Sequence, residues 1–192
     1  LAGWPPFGQR RLTLEAIQAS LLYYMNWWTL ANKESVGDMT ANWSLSIEEQ
    51  YYVVWPLLMI ALFLRPGARR WAPWVMGAVV VTIGAWRAYV FHRWGWQAAY
   101  LRTDTRTDGL LIGSLAGFLF ARGTLKQRIT PWIAAGAGLG WFALFTVVKE
   151  NNRPAWYGGV TLSVVASAIV IVYLADDPSR LSRGRLAGFT RE

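Results

Sequence analysis

The chain has 192 residues, no cysteine and one histidine, which excludes a disulfide framework, a cysteine nucleophile and any metal site built from thiolates or several histidines within these residues. Charged residues make up 16% against 54% hydrophobic, well under the roughly 25% charged of ordinary soluble domains. The net charge of +8 lies in short loops between apolar runs rather than in a basic stripe, which argues against nucleic acid as a partner and reads as a membrane-topology signal.

In chain order, the opening residues 3–6 read as a loop without an initiator methionine, and the basic stretch 183–192 carries no ending motif. Together they read as the interior of a longer protein. The first apolar segment, 14–30, contains Glu15, Gln18 and Asn26. It reads either as a span or as a tilted or re-entrant helix whose Tyr23, Tyr24, Trp27 and Trp28 suit the bilayer interface. Clearer spans follow at 44–64, 71–91, 104–122, 131–149 and 155–175. The uncharged runs 131–148 and 154–175 hold 18 and 22 residues, which matches the ~20 residues needed to cross ~30 Å of hydrocarbon. The predicted fold class is all-α: a polytopic transmembrane helix bundle of five to six spans, with residues 1–192 part of a single domain.

Loop charges alternate. Arg65, Arg69 and Arg70 lie in one loop, Arg122, Lys126 and Arg128 in another, and Arg180, Arg183, Arg185 and Arg191 in the last. Loop 31–43 has Lys33 against Glu34 and Asp38, and loop 149–156 has Lys149 and Arg153. The positive-inside rule places the basic loops in the cytoplasm and 31–43, 92–103 and 149–156 outside. The expected location is the cytoplasmic membrane, with the lipid bilayer as surroundings. Of the thirteen tryptophans, Trp43, Trp71, Trp74, Trp94, Trp96, Trp132 and Trp156 fall near span ends, where an interfacial belt explains them without a sugar-binding role.

Two segments put charge where a span should be apolar, and both do so at the predicted outer end. The first is Asn42-Trp43-Ser44-Leu45-Ser46-Ile47-Glu48-Glu49-Gln50-Tyr51-Tyr52. Counting back about 20 residues from Arg65 puts Glu48 and Glu49 roughly 5 Å inside the bilayer limit, a costly depth unless they face a polar cavity or a partner. Helical spacing gathers Ser44, Glu48, Tyr51, Tyr52 and Trp55 on one broad face, and Pro56 removes a helical donor nearby. The second is Arg102-Thr103-Asp104-Thr105-Arg106-Thr107-Asp108-Gly109. The uncharged run after it, 109–121, has 13 residues and covers only about 20 Å as a helix, so Asp104, Arg106 and Asp108 are drawn into the membrane profile. Asp104 and Asp108 stack at i,i+4, able to balance Arg106. The plainer alternatives are acids at a helix N-terminus for Glu48 and Glu49, and snorkelling charges at a span end for the second cluster. Arg87 reads as snorkelling or paired with a carboxylate, and His92 as structural.

Trp43 to Tyr52, with Trp55-Pro56 following, resembles the "WSLSVEEQFY…WP" signature of the acyltransferase 3 family of membrane acyltransferases. Asp104 to Gly113 resembles that family's D-x-R-x-D-x-L-L-x-G element, and Asn26-Trp27-Trp28 fits its layout. The resemblance implies a multi-pass enzyme moving an acyl group, typically acetyl, from acyl-CoA (acetyl-CoA) to a hydroxyl of an extracytoplasmic glycan, lipid-linked saccharide or glycosylated metabolite, such as cell-envelope polysaccharide. It implies catalytic roles for Glu48, Glu49, Arg106 and Asp108 and substrate contacts from Trp43, Ser44, Tyr51, Tyr52 and Asp104, with no metal and no bound cofactor. The family's histidine, the general base it implies, lies in a span before the first motif, and His92 does not match it. The competing readings are a transporter fragment with intramembrane carboxylates and a non-catalytic membrane partner. Neither motif is repeated along the chain, which counts against the two similar halves common in transporters.

Overall fold

The computed structural model describes residues 7–32, 37–125, 128–147 and 153–177. Lys33, Glu34, Lys126, Lys149 and the basic residues beyond 177, on which part of the loop-charge pattern rests, lie outside them. Among the described residues all regular structure is helical: α1 (Phe7–Leu21), α2 (Met25–Asn32), a 3₁₀ turn (Gly37–Ala41), α3 (Asn42–Phe63), α4 (Ala68–Trp94), α5 (Trp96–Leu101), α6 (Thr103–Arg106), α7 (Asp108–Ala121), α8 (Pro131–Val147), a π-helical turn (Ala155–Gly159) and α9 (Val160–Asp176).

The breaks follow local chemistry. Segment 14–30 is no single span, because the chain turns between α1 and α2. Tyr23 takes a left-handed conformation with φ 55°, while Tyr24 N donates to Ala19 O and Tyr23 N to Ser20 O. This is a Schellman ending with tyrosine where glycine is usual. Gly67 (φ 77°) and Gly95 (φ 85°) occupy backbone regions that glycine enters without penalty, and they bound α4. Thr130 and Pro131 open α8, with Ile133 N donating to Thr130 Oγ1 and proline at the first helical position. α3 runs as one helix through Pro56.

Among the described residues, two of the expected five to six spans meet the length and apolarity of a bilayer-crossing helix on their own: α4, with 27 residues, and Ala155–Asp176, with 22. α3 has the length, 22 residues, but carries Glu48 and Glu49. α7 and α8 are apolar and shorter, at 14 and 17 residues.

The surface is inverted relative to a soluble fold. Val53, Val54, Leu57, Leu58 and Ile60 on α3, Trp74 and Val81 on α4, and Leu139, Phe142 and Phe145 on α8 are exposed. Continuous apolar surface of this kind suits hydrocarbon, with the backbone polar groups satisfied inside the helices.

The buried residues mix apolar side chains such as Met25, Met76, Val90 and Trp156 with the polar Asn26, Ser46, Arg87, Thr105 and Asp108. α4, α7 and α9 pack together, α8 lies on α9, and the short helices α2, α5 and α6 close one end. At that end the starts of α7 and α9 meet α4 at Arg87, and the start of α3 meets α2 and α5. The opposite end joins two basic loops, where Arg122 Nη1 donates to the carbonyl of Arg69 at 2.8 Å.

Candidate active site

The centre of the closed end is an ion pair. Arg87 Nη1 lies 2.8 Å from Asp108 Oδ2, with side-chain exposures of 0% and 2%. Charges this deep are tolerated only when paired and further hydrogen-bonded, and these are. Arg87 Nη1 also donates to Thr105 O at 3.1 Å, and Arg87 Nη2 donates to Thr161 Oγ1. Thr161 Oγ1 in turn donates to Asp108 Oδ2 at 2.8 Å. Arg87 Nε is buried without a hydrogen-bond partner among the described residues. Thr161 reaches the pair because the chain kinks just before it: Gly158, at φ 136°, interrupts the helix. Trp156 anchors the kink by stacking on Phe91, with centroids 6.0 Å apart.

The two motifs are joined beside this pair. Gln50 Nε2 donates to Tyr23 O at 2.6 Å and to Asn26 Oδ1 at 3.1 Å. Gln50 Oε1 accepts from Thr103 Oγ1 at 2.6 Å. Asn26 Nδ2 donates to Leu101 O at 3.0 Å and Thr103 Oγ1 at 2.9 Å. Asn26, fully buried, has every amide atom engaged and so fixes α2, α3 and the α5–α6 junction together. Ser46 Oγ accepts from Met25 N at 3.2 Å and donates to Asn42 O. Lower down, Tyr51 OH lies 2.8 Å from Ser114 Oγ, linking α3 to α7. Tyr51 also lines an apolar cavity of 620 Å³ between α3 and α4, whose polar rim is Gln50, Thr103 and Thr107.

The Asp-Thr-Arg-Thr-Asp segment distributes its charges over two sides. Asp104 and Asp108 both reach α4, at the consecutive residues Trp86 and Arg87. Asp104 Oδ2 accepts from Trp86 Nε1 at 2.9 Å and from Arg102 Nη2 at 2.7 Å. Neither aspartate pairs with Arg106, contrary to the expected charge balance, because each is already taken by another arginine. Arg106 turns the other way, its guanidinium 5.0 Å from the ring centre of Tyr100 and 5.9 Å from that of Trp43. Among the described residues it forms no ion pair. This brings the first motif's tryptophan and the second motif's arginine together.

The remaining site candidates are less converged. Glu48 and Glu49 are half-buried and make no ion pair among the described residues. Ser44 and Tyr52 are exposed, so the broad helical face drawn from spacing divides, with Tyr51 inward and Tyr52 outward. His92 is exposed at the end of α4. Sequence reasoning passed over Gln50, Thr103 and Thr161. Thr161 carried a signal as a polar side chain in an otherwise apolar run, whereas Gln50 and Thr103 sit beside the charged residues of their motifs and were masked by them.

Comparison with known proteins bears on this assembly. The chain is 27% identical over 176 residues, 85% of its own length, to the O-acetyltransferase OatA of Staphylococcus aureus strain NCTC 8325. The acyltransferase resemblance of the two motifs is borne out. It is also 25% identical over 173 residues, 80% of its length, to SACOL0978 of S. aureus strain COL, whose name gives the O-acetyltransferase activity as provisional. The chain spans 29% of the length of each of these relatives. No family model matches the chain, and no solved structure matches it.

Proposed function

We propose that these residues form part of the active site of a membrane O-acyltransferase, which moves an acetyl group from acetyl-CoA to a hydroxyl of an extracytoplasmic glycan or lipid-linked saccharide. The observation that carries this reading is the meeting of the two motifs: the Gln50–Asn26–Thr103 network locks them together and leaves the Arg106 guanidinium between Trp43 and Tyr100, with no carboxylate partner among the described residues. An arginine so held has its charge available for a substrate. In acyl transfer the acceptor hydroxyl loses its proton to a base as its oxygen bonds to the acyl carbon. The carbon–sulfur bond then breaks, and the leaving thiolate takes up a proton. Arg106 would stabilise the negative charge that develops on the carbonyl oxygen or hold the donor's phosphates, and Glu48 would orient the base. From the family resemblance, that base is a histidine of a preceding span. Asp108, closed off by Arg87 and Thr161, would act by positioning the segment rather than on the substrate.

The same reading places the basic loops in the cytoplasm and the closed polar end outside, in a bundle of five to six spans. The shared end of the Arg69 and Arg122 loops supports that sidedness. The test is radiolabelled acetyl transfer from acetyl-CoA to envelope glycan in cells carrying the full-length gene. Glu48→Gln and Arg106→Ala should each abolish transfer while membrane insertion persists. Full activity in both variants would overturn the assignment.

A further inference from the structure

Beside the motif junction the aromatic side chains are not dispersed as a belt would have them. Arg102, between α5 and α6, lies 5.4 Å from the ring centre of Trp27 on α2 and 5.8 Å from those of Trp86 and Trp94 on α4. Trp86 stacks on Tyr89 at 5.4 Å, and Tyr89 meets Trp94 edge-on at 5.9 Å. Trp71, Trp74 and Trp132 behave differently: they are exposed and join no ring pair among the described residues. Those three suit an interfacial belt, in which each ring anchors separately. The Arg102 cluster combines side chains from α2, α4 and the α5–α6 junction.

Its middle is charged and open. Arg102 and Asp104 pair at 2.7 Å, with side-chain exposures of 23% and 42%, and the surrounding Trp27 and Trp94 are themselves exposed. A charged pair left half-open within an aromatic patch is ill suited to hydrocarbon and well suited to a ligand that is apolar on its face and hydroxylated at its rim. Because the pair is net neutral, a phosphate or carboxylate ligand meets Asp104 and an ammonium ligand meets Arg102, so both are disfavoured. A neutral ligand able to donate to a carboxylate and accept from a guanidinium fits both groups at once. Aromatic walls with a few placed polar groups are the usual make-up of a small-ligand site.

We infer that Trp27, Trp94 and the Arg102–Asp104 pair form a saccharide subsite, in which a neutral pyranose stacks on the indoles while its hydroxyls bond the pair. It rests on the glycan-acceptor reading above and assigns that acceptor a place. The donor side then belongs to Arg106, on the opposite side of the same segment.

The test uses the full-length protein in lipid nanodiscs, titrated with cellotetraose, maltotetraose and chitotetraose by calorimetry and saturation-transfer NMR, without acetyl-CoA. At least one tetraose binds, and its affinity falls about tenfold in Trp94→Ala and in Trp27→Ala, the loss expected for one aromatic contact. Trp94→Tyr, which keeps an aromatic face, and Trp132→Ala, in the dispersed belt, leave it within about threefold. No binding of any tetraose, unchanged binding in both alanine variants at the site, or an equal loss in Trp132→Ala overturns the subsite. Acetyl transfer is measured separately on the same preparations. Saccharide binding without transfer would defeat the enzymatic reading alone, and transfer without binding would defeat this one alone.

Discussion

Two arginine–aspartate pairs lie at the same end of this bundle and differ in almost everything but distance. Arg87–Asp108 measures 2.8 Å and Arg102–Asp104 2.7 Å. The first is closed off between α4, α7 and α9, with Thr161 and the Thr105 carbonyl adding further bonds. The second joins residues two apart in one segment and opens to its surroundings. Contact distance therefore says little about what a pair does. The inner pair holds three helices in register, and its cost of desolvation is recovered only while both partners are present. The outer pair also touches α4 through the Trp86 indole and α2 through Trp27, but its partial exposure leaves it able to meet a ligand.

The largest effect should come from separating the inner pair. Asp108→Leu leaves the Arg87 guanidinium buried without a counter-charge, a loss of about 3–5 kcal/mol. Arg87→Met should cost a similar amount by stranding Asp108. Combining Arg87→Met with Asp108→Leu should recover most of the stability, because an apolar pair of similar volume replaces both charges. Thermal unfolding in detergent, followed by size-exclusion profile, checks this. A double variant no more stable than either single one would show that the pair's role is not the mutual neutralisation argued here.

The helical class and the two motif segments were legible in the sequence because both depend on local pattern: long uncharged runs, and charges placed where those runs should continue. Arg87 was legible in part, since a guanidinium one turn inside an apolar span either snorkels or pairs with a carboxylate, and the structure shows the pairing. Which carboxylate was not. Asp104 and Asp108 share a face at i,i+4, so spacing could not show that one would take Arg102 and the other Arg87. The break at Tyr23 was hidden because tyrosine carries no turn signal. Its left-handed backbone is supported from outside the segment, by Gln50 on α3. The reach of Thr161 depends on the kink at Gly158, and a small-residue pair such as Gly158-Gly159 in an apolar run reads equally well as a close-packing contact.

Gln50 offers the next test of the comparison, because its bonds are neutral where those of the inner pair are ionic. Gln50→Ala removes the donations to Tyr23 O and Asn26 Oδ1 and the acceptance from Thr103. Hydrogen bonds between membrane helices average about 0.6 kcal/mol, so the three together should cost about 2 kcal/mol. The same unfolding measurement should place this variant between the two ion pairs. A loss as large as that of Asp108→Leu would mean that the junction of the motifs, rather than the buried pair, is what holds the closed end together.

The smallest effect belongs to the outer pair. Asp104→Asn keeps an oxygen for the Trp86 indole and removes the charge facing Arg102 together with one of the two oxygens that accept from it. A partly exposed pair contributes about 1 kcal/mol or less, so unfolding should shift little. Salt separates the two pairs more sharply than substitution does. Screening shortens from about 10 Å at 0.1 M to about 3 Å at 1 M, and it acts on charges that solvent can reach. High salt should therefore erase the difference between Asp104→Asn and the unaltered protein while leaving the deficit of Asp108→Leu in place. If the Asp104→Asn deficit persisted at 1 M, the outer pair would be sealed in the folded bundle, and the openness that recommends it as a saccharide contact would be lost.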